Sequence, residues 1–297
     1  MKTFCKMIAM IMAVCMVMAG CGGEVKETKP LSVNNGVETE VAQKETESTE
    51  PQITIEEAVI FDDDAVTVTV KGLEKSWTGT DIKLMVENKT DRNIAVSGLD
   101  VVVNGVTMNG YLYIDVAAGK KANGTISLYS DALQMAGIDA VATVHTCDAS
   151  LVDTGSFETL GQIELSIVTS LGEDYVQSID ESGDLLYESN GVSIIAKIME
   201  DELYGKSLIL FARNDSEKDV TVQAENVSVN GFTVDAWMYD LVCAGTVRFC
   251  EMGLWESGLE ENDITTIEDV TFTISLIDPQ SFSTIAKSGE LQVFIAE

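Results

Sequence analysis

The chain repeats itself. Val66 and Lys71 recur as Val192 and Lys197, an offset of 126 residues, and the match runs without a gap from about Phe61 to Val141. Gly79 and Leu84 return as Gly205 and Leu210, and Asn88 and Val96 return as Asn214 and Val222. The run Val103, Asn104, Gly105 returns as Val229, Asn230, Gly231, and Tyr113, Ala118, Gly119 and Leu133 return as Tyr239, Ala244, Gly245 and Leu259. After a slip of one residue, Ser156 and Phe157 pair with Ser281 and Phe282. Such self-similarity means that one stretch of chain has been used twice, so any fold for one copy must also serve the other. The copies span residues 53–168 and 184–297, joined by an acidic connector at 169–183.

Within each copy the hydrophobic period is close to two. Val66, Val68 and Val70 alternate with Thr67 and Thr69, and Ile82, Leu84 and Val86 alternate with Lys83, Met85 and Glu87, the pattern of half-buried strands. Turn-forming residues separate the runs, including the pairs Asn104-Gly105 and Asn230-Gly231, which tolerate the positive φ angles of tight hairpins. One short helix per copy is expected near Asp131 to Ala136, with Ser130 as its cap, Gly137 as its end and Leu133 docking it. The predicted fold is all-β: two tandem antiparallel β-sandwich domains, each with one short helix.

The order of the turn motifs carries a resemblance. Asn88 to Asp91, then Val103 to Gly105, then Ala118 to Lys120 resembles the immunoglobulin-like modules of uncharacterised surface lipoproteins of Gram-positive bacteria, although the second copy has Thr246 where the first has Lys120. These motifs build turns and strands, so the resemblance implies a fold and a surface location and says little about chemistry.

The N-terminus points the same way. Lys2 and Lys6 precede an apolar run from Met7 to Met18, and Ala19 and Gly20 stand directly before Cys21, the layout of a signal peptide over residues 1–20. Met18, Ala19, Gly20 and Cys21 resemble a lipobox, with Met in place of the usual Leu, which implies a diacylglycerol on the Cys21 thiol. Residues 21–52 are rich in Glu, Thr and Lys without apolar periodicity and are expected to be a disordered tether. The expected location is the extracellular face of the cell membrane, held there by acyl chains.

A net charge of -31, from 49 acidic against 18 basic residues, repels phosphate backbones and excludes nucleic acid as a partner. Nucleophilic catalysis needs a base, and the single histidine, His145, has no partner motif and no counterpart in the second copy, so no enzyme activity is expected. Phosphate loops, paired zinc-binding histidines and Cys-x-x-Cys pairs are absent, and no cofactor or metal is expected. The acidic clusters Asp62, Asp63, Asp64 and Glu200, Asp201, Glu202 fit solvated turns better than calcium loops.

Two features remain as candidate sites. Cys243 and Cys250 flank the Ala244-Gly245 turn, so they either face each other as a disulfide or stay as small buried thiols. Tyr111 and Tyr113 lie two apart on a strand and are matched by Trp237 and Tyr239, so each pair shares a sheet face. Either these faces stack sugars or they pack in the core, with the Trp237, Tyr239 and Leu241 face expected inward and the Met238 and Asp240 face outward. The function expected is a non-catalytic, lipid-anchored envelope protein with a binding or structural role; the alternative is binding of carbohydrate or cell-wall glycan through Tyr111, Tyr113, Trp237 and Tyr239.

Overall fold

Side chains alternate across a strand, so runs such as Val66, Val68, Val70 and Ile82, Leu84, Val86 can bury one face only by pairing in sheets. A computed structural model describes residues 53–202 and 205–295 of the chain. The predicted signal segment, Cys21 and the tether lie outside the described residues. In the first half the strands are β1 (Ala58–Asp62), β2 (Val66–Ser76), β3 (Gly79–Asn88), β4 (Ile94–Val103), β5 (Val106–Val116) and β6 (Lys121–Tyr129). Helix α1 (Ser130–Met135) and strands β7 (Thr143–Thr146), β8 (Ser150–Asp153), β9 (Thr159–Gln162) and β10 (Ser166–Val168) complete it. The second half holds β11 (Asp184–Ser189), β12 (Val192–Glu202), β13 (Gly205–Asn214), β14 (Val220–Val229), β15 (Phe232–Thr233), β16 (Ala236–Trp237), β17 (Tyr239–Val242) and β18 (Thr246–Trp255). It ends with α2 (Glu256–Glu261), β19 (Asp269–Ile277), β20 (Thr284–Lys287) and β21 (Leu291–Phe294). The fold is all-β, and β2, β3, β4 and α1 recur as β12, β13, β14 and α2 at the offset of the sequence repeat.

Strands pair in the order β1-β2-β3-β6-β5 in the first half and β11-β12-β13-β18 in the second. Across each core lies a second layer: β4 with β7 and β8 in the first half, and β14 with β19 in the second. Strand β5 joins the two layers, pairing with β6 at Gly110, Tyr111 and Leu112 and with β4 along most of its length. At this crossing Gly110 packs closely against Val101, whose methyl would lie 3.0 Å from an added Cβ. In the second half the counterpart of β5 is cut into three short strands, β15 and β17 pairing with β14 and β16 with β18.

Two apolar clusters fill the spaces between layers. The second is built wholly from the second half, around Phe272, Leu210 and Met252, but the first takes in Phe211 and Val247 along with its own Val68, Leu84 and Ile126. The halves therefore do not close their cores with complete independence: Phe211 of β13 and Val247 and Phe249 of β18 are absent from the second cluster and pack with the first.

Polar details repeat with the strands. Asn88, almost fully buried, donates from Nδ2 to the carbonyls of Arg92, Val116 and Ala117 and accepts at Oδ1 from the Thr90 N–H and hydroxyl. Asn214 does the same with Lys218, Val242, Cys243 and Ser216. Asn104 and Asn230 take φ angles of 50° and 51°, and Gly105 and Gly231 follow at 85° and 81°, the two-residue hairpin that the sequence predicts. The helices depart from expectation at their start. Ser130 lies inside α1, Tyr129 occupies the N-cap without a side-chain hydrogen bond, and Asp131 takes the Ala132 N–H instead. Gly137 does follow the helix at φ 64°, and Leu133 docks it.

Because each buried amide ties three backbone carbonyls and one backbone N–H into a single network, Asn88→Ala and Asn214→Ala are each expected to destabilise the protein by about 3 kcal/mol. Denaturant unfolding checks this; the matching networks predict similar losses at the two sites.

Candidate functional site

The aromatic pairs stand outside the cores. Tyr111 and Tyr113 are 47% and 44% exposed on β5, with buried Leu112 between them. Trp237 and Tyr239 are 55% and 37% exposed, with buried Met238 between them. This reverses the inward face expected from the sequence, where Trp237, Tyr239 and Leu241 looked more buried than Met238. The physical reason is the broken counterpart of β5: Met238 lies between β16 and β17 and fills the core, leaving the two large rings on the opposite side. Trp237 lies opposite Gly253 of β18, and its ring centroid is 6.2 Å from that of Tyr239 with the planes tilted by 38°. Tyr111 and Tyr113 lie opposite Ser127 and Ser97, small residues that leave the phenols raised above the sheet. Burial, with Asp115 and Tyr111 adding, raises the Tyr113 phenol, which therefore stays neutral and able to donate a hydrogen bond near neutral pH. Trp255, 51% exposed two residues beyond Gly253, adds an aromatic that the sequence reading left aside; its alternation with buried Leu254 was the available signal.

The cysteines pair differently from the candidate hairpin bridge. Cys243 is joined to Cys147, across the two halves, with Cα atoms 6.7 Å apart, and Cys250 is a free buried thiol. Cys250 lies on the inward face of β18 opposite Leu210, so it points into the second core. Burial, reinforced by the nearby Asp240 charge, pushes its pKa well above that of an ordinary thiol. Cys147 has no counterpart in the second copy, so comparison of the repeats offered no hint of the bridge.

Beside the disulfide, the halves are locked by polar groups. Val106 of β5 and Val247 of β18 form a single parallel bridge, the Thr107 and Thr246 hydroxyls are 2.7 Å apart, and the Cys243 N–H donates to the Thr107 hydroxyl. Arg248, 3% exposed at its side chain, donates to Asp100 Oδ1 at 2.5 Å, to Asn109 Oδ1 and to the Leu241 carbonyl, and lies 3.0 Å from Asp240 Oδ1. Asp100 and Asn109 face each other across β4 and β5, so the first half presents them as one acceptor pair. Burial raises the pKa of both Asp100 and Asp240 against the pull of Arg248. Burial alone would lower Arg248, but Asp240 and Asp100 outweigh it and hold the guanidinium charged.

Other sequence candidates fall into structural roles. His145 is exposed on β7, between Val102 of β4 and Ser166 of β10. Asp62 accepts from Lys89 and Thr67, and Asp63 caps the N–H groups of Ala65 and Val66, which accounts for this cluster as a turn. Residues 200–202 end β12. Among the described residues no group of three or more His, Cys, Asp or Glu side chains is placed to hold a metal ion. Among them also, no helix is long and apolar enough to cross a membrane. No protein-family model and no curated protein sequence matches the chain.

The disulfide closes a separation of 96 residues, so Cys147→Ser is expected to cost about 2–4 kcal/mol of stability. Non-reducing peptide mapping should recover Cys147 linked to Cys243, with Cys250 alkylated only after unfolding. The carboxylates also set a pH profile. Asp100 and Asp240 are raised, so their contribution is full below the ordinary value of 3.8 and is lost as pH rises through their higher folded values. Asp62, Asp153, Asp180 and Asp278 are lowered by hydrogen bonds, so theirs is present above 3.8 and lost as pH falls below it. Melting temperature should therefore peak on the acid side of neutral and fall on both sides, and Asp240→Asn should flatten the fall toward neutral pH.

Proposed function

We propose that the protein is a non-catalytic, lipid-anchored surface protein in which two immunoglobulin-like β-sandwich modules present binding faces from the outer side of the cell membrane. The observation that carries this reading is the matched placement of Tyr111 and Tyr113 with Trp237 and Tyr239: both repeats keep two large aromatics on the solvent side of equivalent positions, where core packing does not require them. Exposed Tyr and Trp side chains supply large contact area at low entropic cost and anchor many interfaces. Anchoring is supported by the run Met18, Ala19, Gly20, Cys21 after an apolar segment, and by the strongly acidic composition, which favours solubility outside the cell. The paired cysteines fit an oxidising compartment. Other envelope components are the natural partners.

A second reading, binding of carbohydrate or cell-wall glycan, is favoured by the flanking hydroxyls. Ser127 and Ser97 lie beside the two tyrosines, and a flat ring with hydroxyl donors nearby matches the apolar face and polar edge of a sugar. Metabolic labelling with an alkyne fatty acid should tag the wild-type protein, and Cys21→Ser should abolish the label. On glycan arrays, Trp237→Ala with Tyr239→Ala should reduce binding by about tenfold or more, a loss of at least about 1.4 kcal/mol. Undiminished glycan binding by the double variant would exclude the aromatic face as the sugar site.

A further inference from the structure

A cleft of about 1160 Å³ lies between the halves, and none of Tyr111, Tyr113, Trp237 and Tyr239 lines it. The start of β5 and helix α1 supply its first wall, the outward faces of β13 and β18 its second, and the connecting segment near Ile179 and Asp180 the rest. Its size suits an organic molecule, and Phe249, Ile209, Met108, Met135 and Ile179 give it an apolar lining.

Its charges decide what kind of molecule fits. Four carboxylates, Asp131, Asp180, Asp240 and Glu251, line the cleft against two cations, Lys197 and Arg248. Both cations are already engaged. Lys197 donates to the carbonyls of Asp180 and Ser182, pairs with the Asp180 carboxylate at 3.7 Å and lies over the Phe211 ring, while Arg248 is held by Asp100, Asp240, Asn109 and the Leu241 carbonyl. An anion entering the cleft would have to displace the Asp180 carboxylate and two carbonyls from Lys197 or break the buried Arg248 group, and the latter is costly. Acceptor capacity, by contrast, is in surplus. Glu251 takes one hydrogen bond, from the Ser207 hydroxyl, Asp131 takes one from the Ala132 N–H, and Asp240 Oδ2 is buried without a hydrogen-bond partner. A cleft with this imbalance of carboxylates over cations concentrates positive charge. A bare metal ion would leave the apolar lining unused, and no metal-holding group is present among the described residues.

We propose that the cleft between the halves binds an organic cation, an amine or guanidinium carried on an apolar body, with Glu251 and Asp131 accepting its N–H groups and Phe249 and Ile209 covering the body. This site is separate from the aromatic faces and goes beyond the surface-binding role proposed above.

The test is isothermal titration calorimetry of the full chain in detergent with tyramine, agmatine and spermidine, and with 3-phenylpropionate as the anionic counterpart. At least one amine should bind with a dissociation constant below about 1 mM, and the anion should give no heat. Glu251→Gln with Asp131→Asn should weaken amine binding by about tenfold without lowering the melting temperature, since both side chains are exposed. Ile209→Trp should fill the cleft and abolish binding, while Trp237→Ala should leave it unchanged. The proposal is overturned if no amine binds up to about 10 mM, if the anion binds as tightly, or if the carboxamide double variant binds like the wild type.

Discussion

A guanidinium cannot be buried without partners, and Arg248 finds its partners on both sides of the junction. From β18 of the second half it reaches Asp100 and Asn109 of the first, while Asp240 of its own half closes the other side. Separating the halves would leave this charge only Asp240 and the Leu241 carbonyl and would also expose Phe211 and Val247, which complete the first apolar cluster. Removing one member of such a buried group is far more damaging than the net worth of the group suggests, because the remaining charges lose their compensation. The disulfide between Cys147 and Cys243 acts at the same place, holding covalently what Arg248 holds electrostatically.

Duplication and asymmetry thus serve different ends. The repeated features, above all the buried Asn88 and Asn214 and the hairpin pairs Asn104-Gly105 and Asn230-Gly231, satisfy backbone groups inside one half and would be needed in any copy. The features at the junction are single. Arg248 falls opposite Ala122 in the first copy, and Cys147 and Cys243 have no cysteine counterparts. Where the copies meet, Val247 and Phe249 of the second copy are packed, whereas their counterparts Lys121 and Asn123 in the first are exposed.

The same geometry separates two surfaces with different chemistry. Exposed positions outside the cleft lining carry Tyr111, Tyr113, Trp237 and Tyr239, suited to flat apolar contact. Outward positions beside the junction, Ile209, Phe249 and Glu251, line that cleft, whose cations are already paired and whose carboxylates are not fully used. The aromatic surface rests on strands, whereas the cleft is walled by strands on one side and by helix α1 and the connecting segment on the other.

Local and repeated features were legible in the chain. The two-residue alternation of Val66, Val68 and Val70 fixed strands because only that period buries one sheet face, and the Asn-Gly pairs fixed hairpins because their φ angles suit few other residues. The helix near Leu133 was legible in place but not in its cap, since Ser130 and Tyr129 compete for a boundary that packing decides. What sequence could not fix was which face of a broken strand turns inward and which cysteine meets which. Trp237 and Tyr239 lie outside because β16 and β17 pair with different sheets, and Cys243 meets Cys147 rather than Cys250 because the halves dock there. Periodicity reports contacts between neighbours along the chain; the orientation of one half on the other depends on contacts between residues about 100 or more positions apart, for which a single sequence carries no period.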